Sequence, residues 1–126
     1  MRFNNDRPIF LQIADWLEDE ILAGRFGPGD RLPSARDLAV SMEVNPNTTS
    51  RTLQLMAERK VAGMERGSGY FVLPEAGRMI VQARRERLMS ETLPGLFRTM
   101  QMLGISAEEL LEYYQDFLEG RPHESQ

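Results

Sequence analysis

Residues 43 to 54, EVNPNTTSRTLQ, set Pro46 between two asparagines, add two threonines and a serine, and place Arg51 before the apolar residues return. As a helix capped by Asn45 with Pro46 in its first turn, the stretch divides into two faces. With Asn47 at zero on the helical wheel, Arg51 falls at about 40°, Gln54 at about −20° and Thr48 at about 100°. Thr49, Leu53 and Met56 lie at about 200°, 240° and 180°, which makes the inward face. The outward set has a defined chemistry. Asn pairs bidentately with adenine N6 and N7, Arg with guanine O6 and N7, and Thr reaches a base edge or a thymine methyl. Short side chains let the helix come close to base edges, and its free N–H groups and positive dipole end favour a phosphate. Asn, Thr and Ser also open many ordinary surface helices as caps, so the surrounding elements must decide between the two.

Pro8 to Phe26 carries Ile9, Ile13, Trp16, Leu17 and Ile21 at helical spacing, with Glu18, Asp19 and Glu20 largely on the other side. Trp16 is in phase with the apolar stripe and is expected to pack. Gly24 and then Gly27-Pro28-Gly29 end this helix in a turn. Asp30-Arg31-Leu32-Pro33 is expected to be extended, because a residue before proline avoids the helical region. Ser34-Ala35-Arg36-Asp37 matches a capping box and starts a helix to about Met42. Only Glu43-Val44 separates it from the Asn45 cap of the next helix, which runs to about Lys60. Two helices joined by so short a turn form a helix-turn-helix. Val61–Glu65 and Tyr70–Leu73 then read as short strands around a glycine-rich loop, Arg66 to Gly69. Three helices followed by a hairpin is the order of a winged helix.

Pro74 opens a second region. Met89, Leu93, Leu96, Phe97, Met100 and Leu103 form one stripe of a long helical pattern from Ala76, and Pro94-Gly95 predicts a kink or two helices there. After Gly104, Ser106 and Glu109 cap a last helix bearing Leu110, Leu111, Tyr114, Phe117 and Leu118. Two helices cannot enclose a core alone, so the stripes need a partner surface, best met by the same stripes on a second copy in a two-fold dimer. The expected domains are 1–73, a helical dimerisation region 74–120, and a flexible polar tail 121–126.

The 126 residues allow one domain and a small appendage. There is no cysteine, hence no disulfide framework or thiolate metal site. No apolar run is long enough for a membrane span, and the N-terminus has no apolar signal segment. The cytoplasm is the expected location. Net charge is −4, yet residues 31 to 73 carry six basic side chains against four acidic ones, the only net-positive segment. Catalysis lacks its parts. The single histidine is His123 in the polar tail, and no phosphate loop, dinucleotide motif or zinc-protease motif occurs. No cofactor or metal is expected. A winged helix used for protein docking would suit the acidic charge but leave the polar face of the third helix unused. Arg84, Arg85 and Arg87 read as a solvated face, and Met89, Met100 and Met102 as interface filler.

PIFLQI (8–13), GDRLPSARDLA (29–39), VNPNTTSRTLQ (44–54) and GSGYFV (67–72) together resemble the winged helix-turn-helix of GntR-family transcriptional regulators, in the family's order and spacing. PIFLQI, the VNPNT motif and the short C-terminal region are similar to the YtrA-type subfamily. The resemblance implies a mainly α fold with a small β-hairpin wing, and a homodimeric, sequence-specific DNA-binding protein, usually a repressor, on a double-stranded operator. It assigns Ser34 and Arg36 to the DNA backbone and nearby base edges. Asn45, Asn47, Thr48 and Arg51 match the recognition helix, and Arg66, Gly67, Ser68, Gly69 and Tyr70 the wing along the minor groove. Three residues depart from the pattern. Glu43 and Lys60 stand where glycine is usual, and Ala62, at a position that is usually a larger aliphatic, would loosen the wing slightly. About 50 residues follow the wing, too few for the ligand-binding or aminotransferase-like domains of larger members. An effector, if one exists, is expected in the apolar, methionine-lined dimer region.

Overall fold

The computed structural model describes residues 2 to 122; expectations for the tail beyond them, His123 included, lie outside the described residues. Helix α1, Ile9–Leu22, follows Pro8 and buries Ile13, Ala14, Leu17 and Ile21 along one side. Gly24, at φ 84°, turns the chain out of it. Helix α2, Ala35–Met42, begins where the Asp37 N–H donates to Ser34 Oγ at 3.1 Å. The return bond from the Asp37 carboxylate, expected of a full capping box, is not made among the described residues. Helix α3, Pro46–Glu58, is capped by Asn45, whose Oδ1 accepts from the Asn47 N–H at 2.8 Å. Glu43 links the pair in the left-handed conformation, φ 57° and ψ 47°. Lys60, at φ 61°, makes the equivalent bend into the hairpin.

Strands β1, Ala62–Glu65, and β2, Gly69–Val72, pair antiparallel with Ala62 opposite Val72 and Met64 opposite Tyr70. Ser68 N–H closes the tip turn on the Glu65 carbonyl at 2.9 Å. Gly67 occupies its third position at φ 84°, where a type II turn requires glycine. The free edge of β2 is covered by the extended run expected at Asp30–Pro33. Gly29 N–H donates to the Val72 carbonyl, Val72 N–H to Asp30 and Leu32 N–H to Tyr70, at 2.8 to 2.9 Å. That pairing joins segments some forty residues apart and seats Arg31 beside Phe71.

These elements share one core of Ile13, Leu17, Leu32, Leu53, Met56, Val61, Val72 and Ile80. Each fully buried aliphatic stabilises the fold by ~1.5–3 kcal/mol through area removed from water. Two threonines belong to the core as well. Thr49 Oγ1 donates to the Ala35 carbonyl at 2.6 Å and reaches Pro46 at 3.0 Å, while Thr52 Oγ1 donates to Phe10 at 2.9 Å and reaches Thr48 at 3.2 Å. Part of the polar start of α3 therefore serves the interior, bonding α3 to α2 and α1. Glu18, expected on the solvent side, is only 4% exposed and pairs with Arg59 at 2.6 Å, so it too ties α1 to α3.

Helix α4, Ala76–Arg87, sets Ala76 and Ile80 into the core just described. Arg84, read from sequence as solvated, reaches Asp19 at 2.6 Å and the Asp15 carbonyl at 3.2 Å. The compact units accordingly divide inside α4, as Met1–Arg84 and Arg85–Gln126, rather than at the Leu73/Pro74 junction suggested by turn chemistry.

In the second unit a π-helical segment, Leu88–Thr92, leads into α5, Leu93–Leu103. The break expected at Pro94-Gly95 thus lies one turn earlier. Pro94 has no N–H for the Ser90 carbonyl and its ring would crowd that group. Widening the preceding turn absorbs both problems and leaves Pro94 in the first turn of α5. Gly104, at φ 69°, ends α5, and Ser106 Oγ accepts the Glu109 N–H to start α6, Ala107–Leu118. No helix among the described residues is long and apolar enough to cross a membrane.

Candidate nucleic-acid interface

The outer face of α3 carries Asn47, Arg51 and Gln54 exposed and Thr48 half-buried, as the wheel predicts. Among the described residues the side chains of Asn47 and Gln54 make no hydrogen bond, so both amides keep the donor and acceptor an adenine edge demands. Asn45 differs. Its carbonyl oxygen is engaged in the cap, which leaves Nδ2 as its unengaged group and argues for a positioning part rather than bidentate base pairing. Ser34 Oγ accepts its cap bond and can still donate its own hydrogen. Arg36, one residue into α2, is exposed.

At the hairpin tip Arg66, Gly67, Ser68 and Gly69 are exposed. Tyr70 is not part of that tip. It lies in β2, half-buried against the hydrophobic core. The sequence places Arg31 in an extended run and among the six basic residues of 31 to 73, with no site role. The guanidinium lies about 3.6 Å from where a Cβ on Gly69 would stand, which puts an exposed positive charge beside the tip. Only the strand pairing with β2 reveals it, since nothing local in GDRLPS marks Arg31 as a neighbour of residue 69.

Ion pairing divides the basic residues. Arg7, Arg25, Arg59, Arg78 and Arg84 of the first unit all pair with acids. Arg31, Arg36, Arg51 and Arg66 have no acidic partner among the described residues, and neither do Arg2 and Lys60. Arg51 does have one contact. Its guanidinium carbon lies over the Phe10 ring, 3.8 Å from the centroid. The net-positive middle third thus contributes fewer available charges than its composition suggests, because Arg59 is neutralised by Glu18. Five remain: Arg36 at the start of α2, Arg51 on α3, Arg31 and Arg66 at the hairpin tip, and Lys60 at the bend into the hairpin. No group of three or more His, Asp or Glu that could hold a metal occurs among the described residues.

A family model described as bacterial regulatory proteins, gntR family, matches residues 10–72. The chain is also 38% identical over 119 residues to the HTH-type transcriptional regulator YhcF of Bacillus subtilis, covering 94% of this chain and 97% of that protein. The chain belongs to the GntR family. Its relatives include a YtrA-type regulator, the HTH-type transcriptional repressor YtrA of Bacillus subtilis, at 29% identity over 86% of this chain and 83% of that protein. A solved GntR-family regulator from Bacteroides thetaiotaomicron superposes with a TM-score of 0.77 at 36% identity, covering 88% of this chain and 96% of that one. GntR members of this kind are DNA-binding transcriptional regulators rather than enzymes.

The apolar residues expected at a dimer contact all belong to the second unit. Met89, Leu96, Phe97, Leu103, Tyr114 and Phe117 are exposed, and Leu93 and Leu110 are half-buried. Met100 differs, being buried at 8% exposure within its own chain, so it packs internally.

Proposed function

We propose that this GntR-family protein is a homodimeric repressor that reads an inverted-repeat operator. In this reading α3 enters the major groove, with Asn47 on adenine, Arg51 on guanine and Thr48 on a neighbouring edge. Ser34, Arg36 and Arg31 hold the phosphate backbone, and the Arg66–Gly69 tip follows the minor groove. Its strongest support is the division of the arginines. Arg7, Arg25, Arg59, Arg78 and Arg84 are paired with acids, while Arg31, Arg36, Arg51 and Arg66 are left to meet phosphates, where they would displace counterions from the DNA. The repressor assignment follows the name of the YtrA relative. Dimerisation follows from the second unit, where Phe117 is 80% and Leu103 68% exposed, more apolar surface than a lone helical pair leaves in water. An effector, if the protein uses one, would bind at this apolar region. The protein acts in the cytoplasm, where its operator lies.

The test is selection of bound duplexes from a randomised DNA pool at two salt concentrations. A palindromic preference that survives the higher salt, with half-site centres about one helical turn apart, supports the reading. Binding that disappears with salt and leaves no preferred sequence removes the base-reading roles. Arg51→Ala is expected to weaken operator binding by ~1–3 kcal/mol and flatten one base position. Arg36→Ala should instead weaken all sequences alike and reduce the salt slope by ~1.

A further inference from the structure

Phe10 stands in the first turn of α1, yet two consecutive residues of α3 are fastened to it. Thr52 donates its hydroxyl to the Phe10 carbonyl at 2.9 Å, and the Arg51 guanidinium lies over the Phe10 ring at 3.8 Å. Thr52 is fully buried, Phe10 half-buried and Arg51 exposed. The backbone bond places this turn of α3 against α1, and the ring then meets the side chain next in sequence. Arg51 has no ion pair and donates no hydrogen bond among the described residues, so the ring is its one restraint. An aromatic face attracts the cation electrostatically, while the N–H donors lie in the guanidinium plane and remain available.

We propose that Phe10 is a positioning residue for base recognition: it presets the Arg51 guanidinium for a guanine edge before DNA arrives. The proposal rests on the base-reading role given to Arg51 above. A long, rotamer-rich side chain that must be ordered on binding loses part of its contribution, and preorganisation removes that loss. Specificity is affected before affinity. Phosphate contacts supply most of the sequence-independent attraction, and an unrestrained Arg51 satisfies itself on any nearby phosphate as readily as on the correct base. The first helix of the domain thereby takes part in reading a base that it does not touch. A purely apolar role, covering the Arg51 stem, would need only bulk at position 10.

The experiment measures, with the full-length protein, binding to the selected operator, to single-base variants of it and to random-sequence DNA. Phe10→Tyr keeps the ring face and should match the parent. Phe10→Leu keeps apolar bulk without the face. It should leave random-sequence binding unchanged while discrimination at the base pair read by Arg51 falls about three- to tenfold. Adding Phe10→Leu to Arg51→Ala should change that discrimination no further. If Phe10→Leu folds poorly, graded fluorination of the ring at position 10 keeps the shape and weakens the face stepwise, and discrimination should fall in the same steps. Full discrimination in Phe10→Leu, beside its loss in Arg51→Ala, overturns the positioning role and leaves base reading intact. Equal losses at every operator position, or a further loss in the Arg51→Ala background, mean that Phe10 acts only on the fold. An Arg51→Ala protein with unaltered preference removes the base-reading role first, and the positioning role with it.

Discussion

At the scale of single residues, the two departures from the family's glycine pattern are strained. Glu43 and Lys60 sit at φ 57° and 61°, where a Cβ crowds the following carbonyl. That conformation costs ~1–2 kcal/mol for an L-residue, while glycine adds back ~0.4–1 kcal/mol of unfolded-chain entropy. Glu43→Gly and Lys60→Gly should therefore each stabilise the protein by about 0.5 kcal/mol. The expected result is a rise in Tm of a few degrees for the pair; a fall would mean that the Glu43 or Lys60 side chain makes a stabilising contact. Residue types and spacing made the Asn45 cap and the outward set on α3 legible, while the family resemblance marked Glu43 and Lys60 as standing where glycine is usual. Tyr70 lies in a wing strand, where a tyrosine has the same local signature whether its ring faces solvent or core. Its half-buried position against the core follows from the strand register.

At the scale of elements, α3 is held from two sides. Thr49 bonds it to α2, and Thr52 with the Glu18–Arg59 pair bonds it to α1. The ion pair is lopsided, with Glu18 side-chain exposure at 5% and Arg59 at 26%. Removing Arg59 alone strands a buried carboxylate, so Arg59→Met should destabilise the domain by ~3 kcal/mol. The double variant Glu18→Met with Arg59→Met should recover most of that loss, because neither charge then needs a partner. Urea unfolding of the parent, Glu18→Met, Arg59→Met and the double variant gives the coupling directly. Additive losses would show that the pair contributes little as a pair. The π-helical turn before Pro94 is also an element-scale effect. A proline in the sequence announces an interruption, but whether the chain kinks, stops or widens a turn depends on how the helix is held on either side.

For the molecule as a whole, the function proposed requires two copies. Phe117 is exposed in the single chain, so a charge there does not disturb the folded monomer. Phe117→Asp should give a monomer by sedimentation while keeping its helical content. Its affinity for a full inverted repeat should fall to that for one half-site, since the second helix-turn-helix no longer binds as a tethered partner. A stable dimer in this variant would move the contact away from α6.

Local chemistry in the sequence determined the order of elements, the caps at Ser34, Asn45 and Ser106, and the polar face of α3. Each depends on neighbours within a turn or two, where spacing alone encodes geometry. Tertiary structure decided which charges are available to DNA, what Thr52 does, where Arg31 lies and what restrains Arg51. Arg59 finds its acid 41 residues away, Thr52 its acceptor 42 away and Arg84 its acid 65 away. A charge or hydroxyl has the same local signature with or without such a partner. Only the packing of α1, α3, α4 and the hairpin around one core brings the partners within hydrogen-bond reach. It is this packing that neutralises some arginines and leaves Arg31, Arg36, Arg51 and Arg66 without an acidic partner among the described residues.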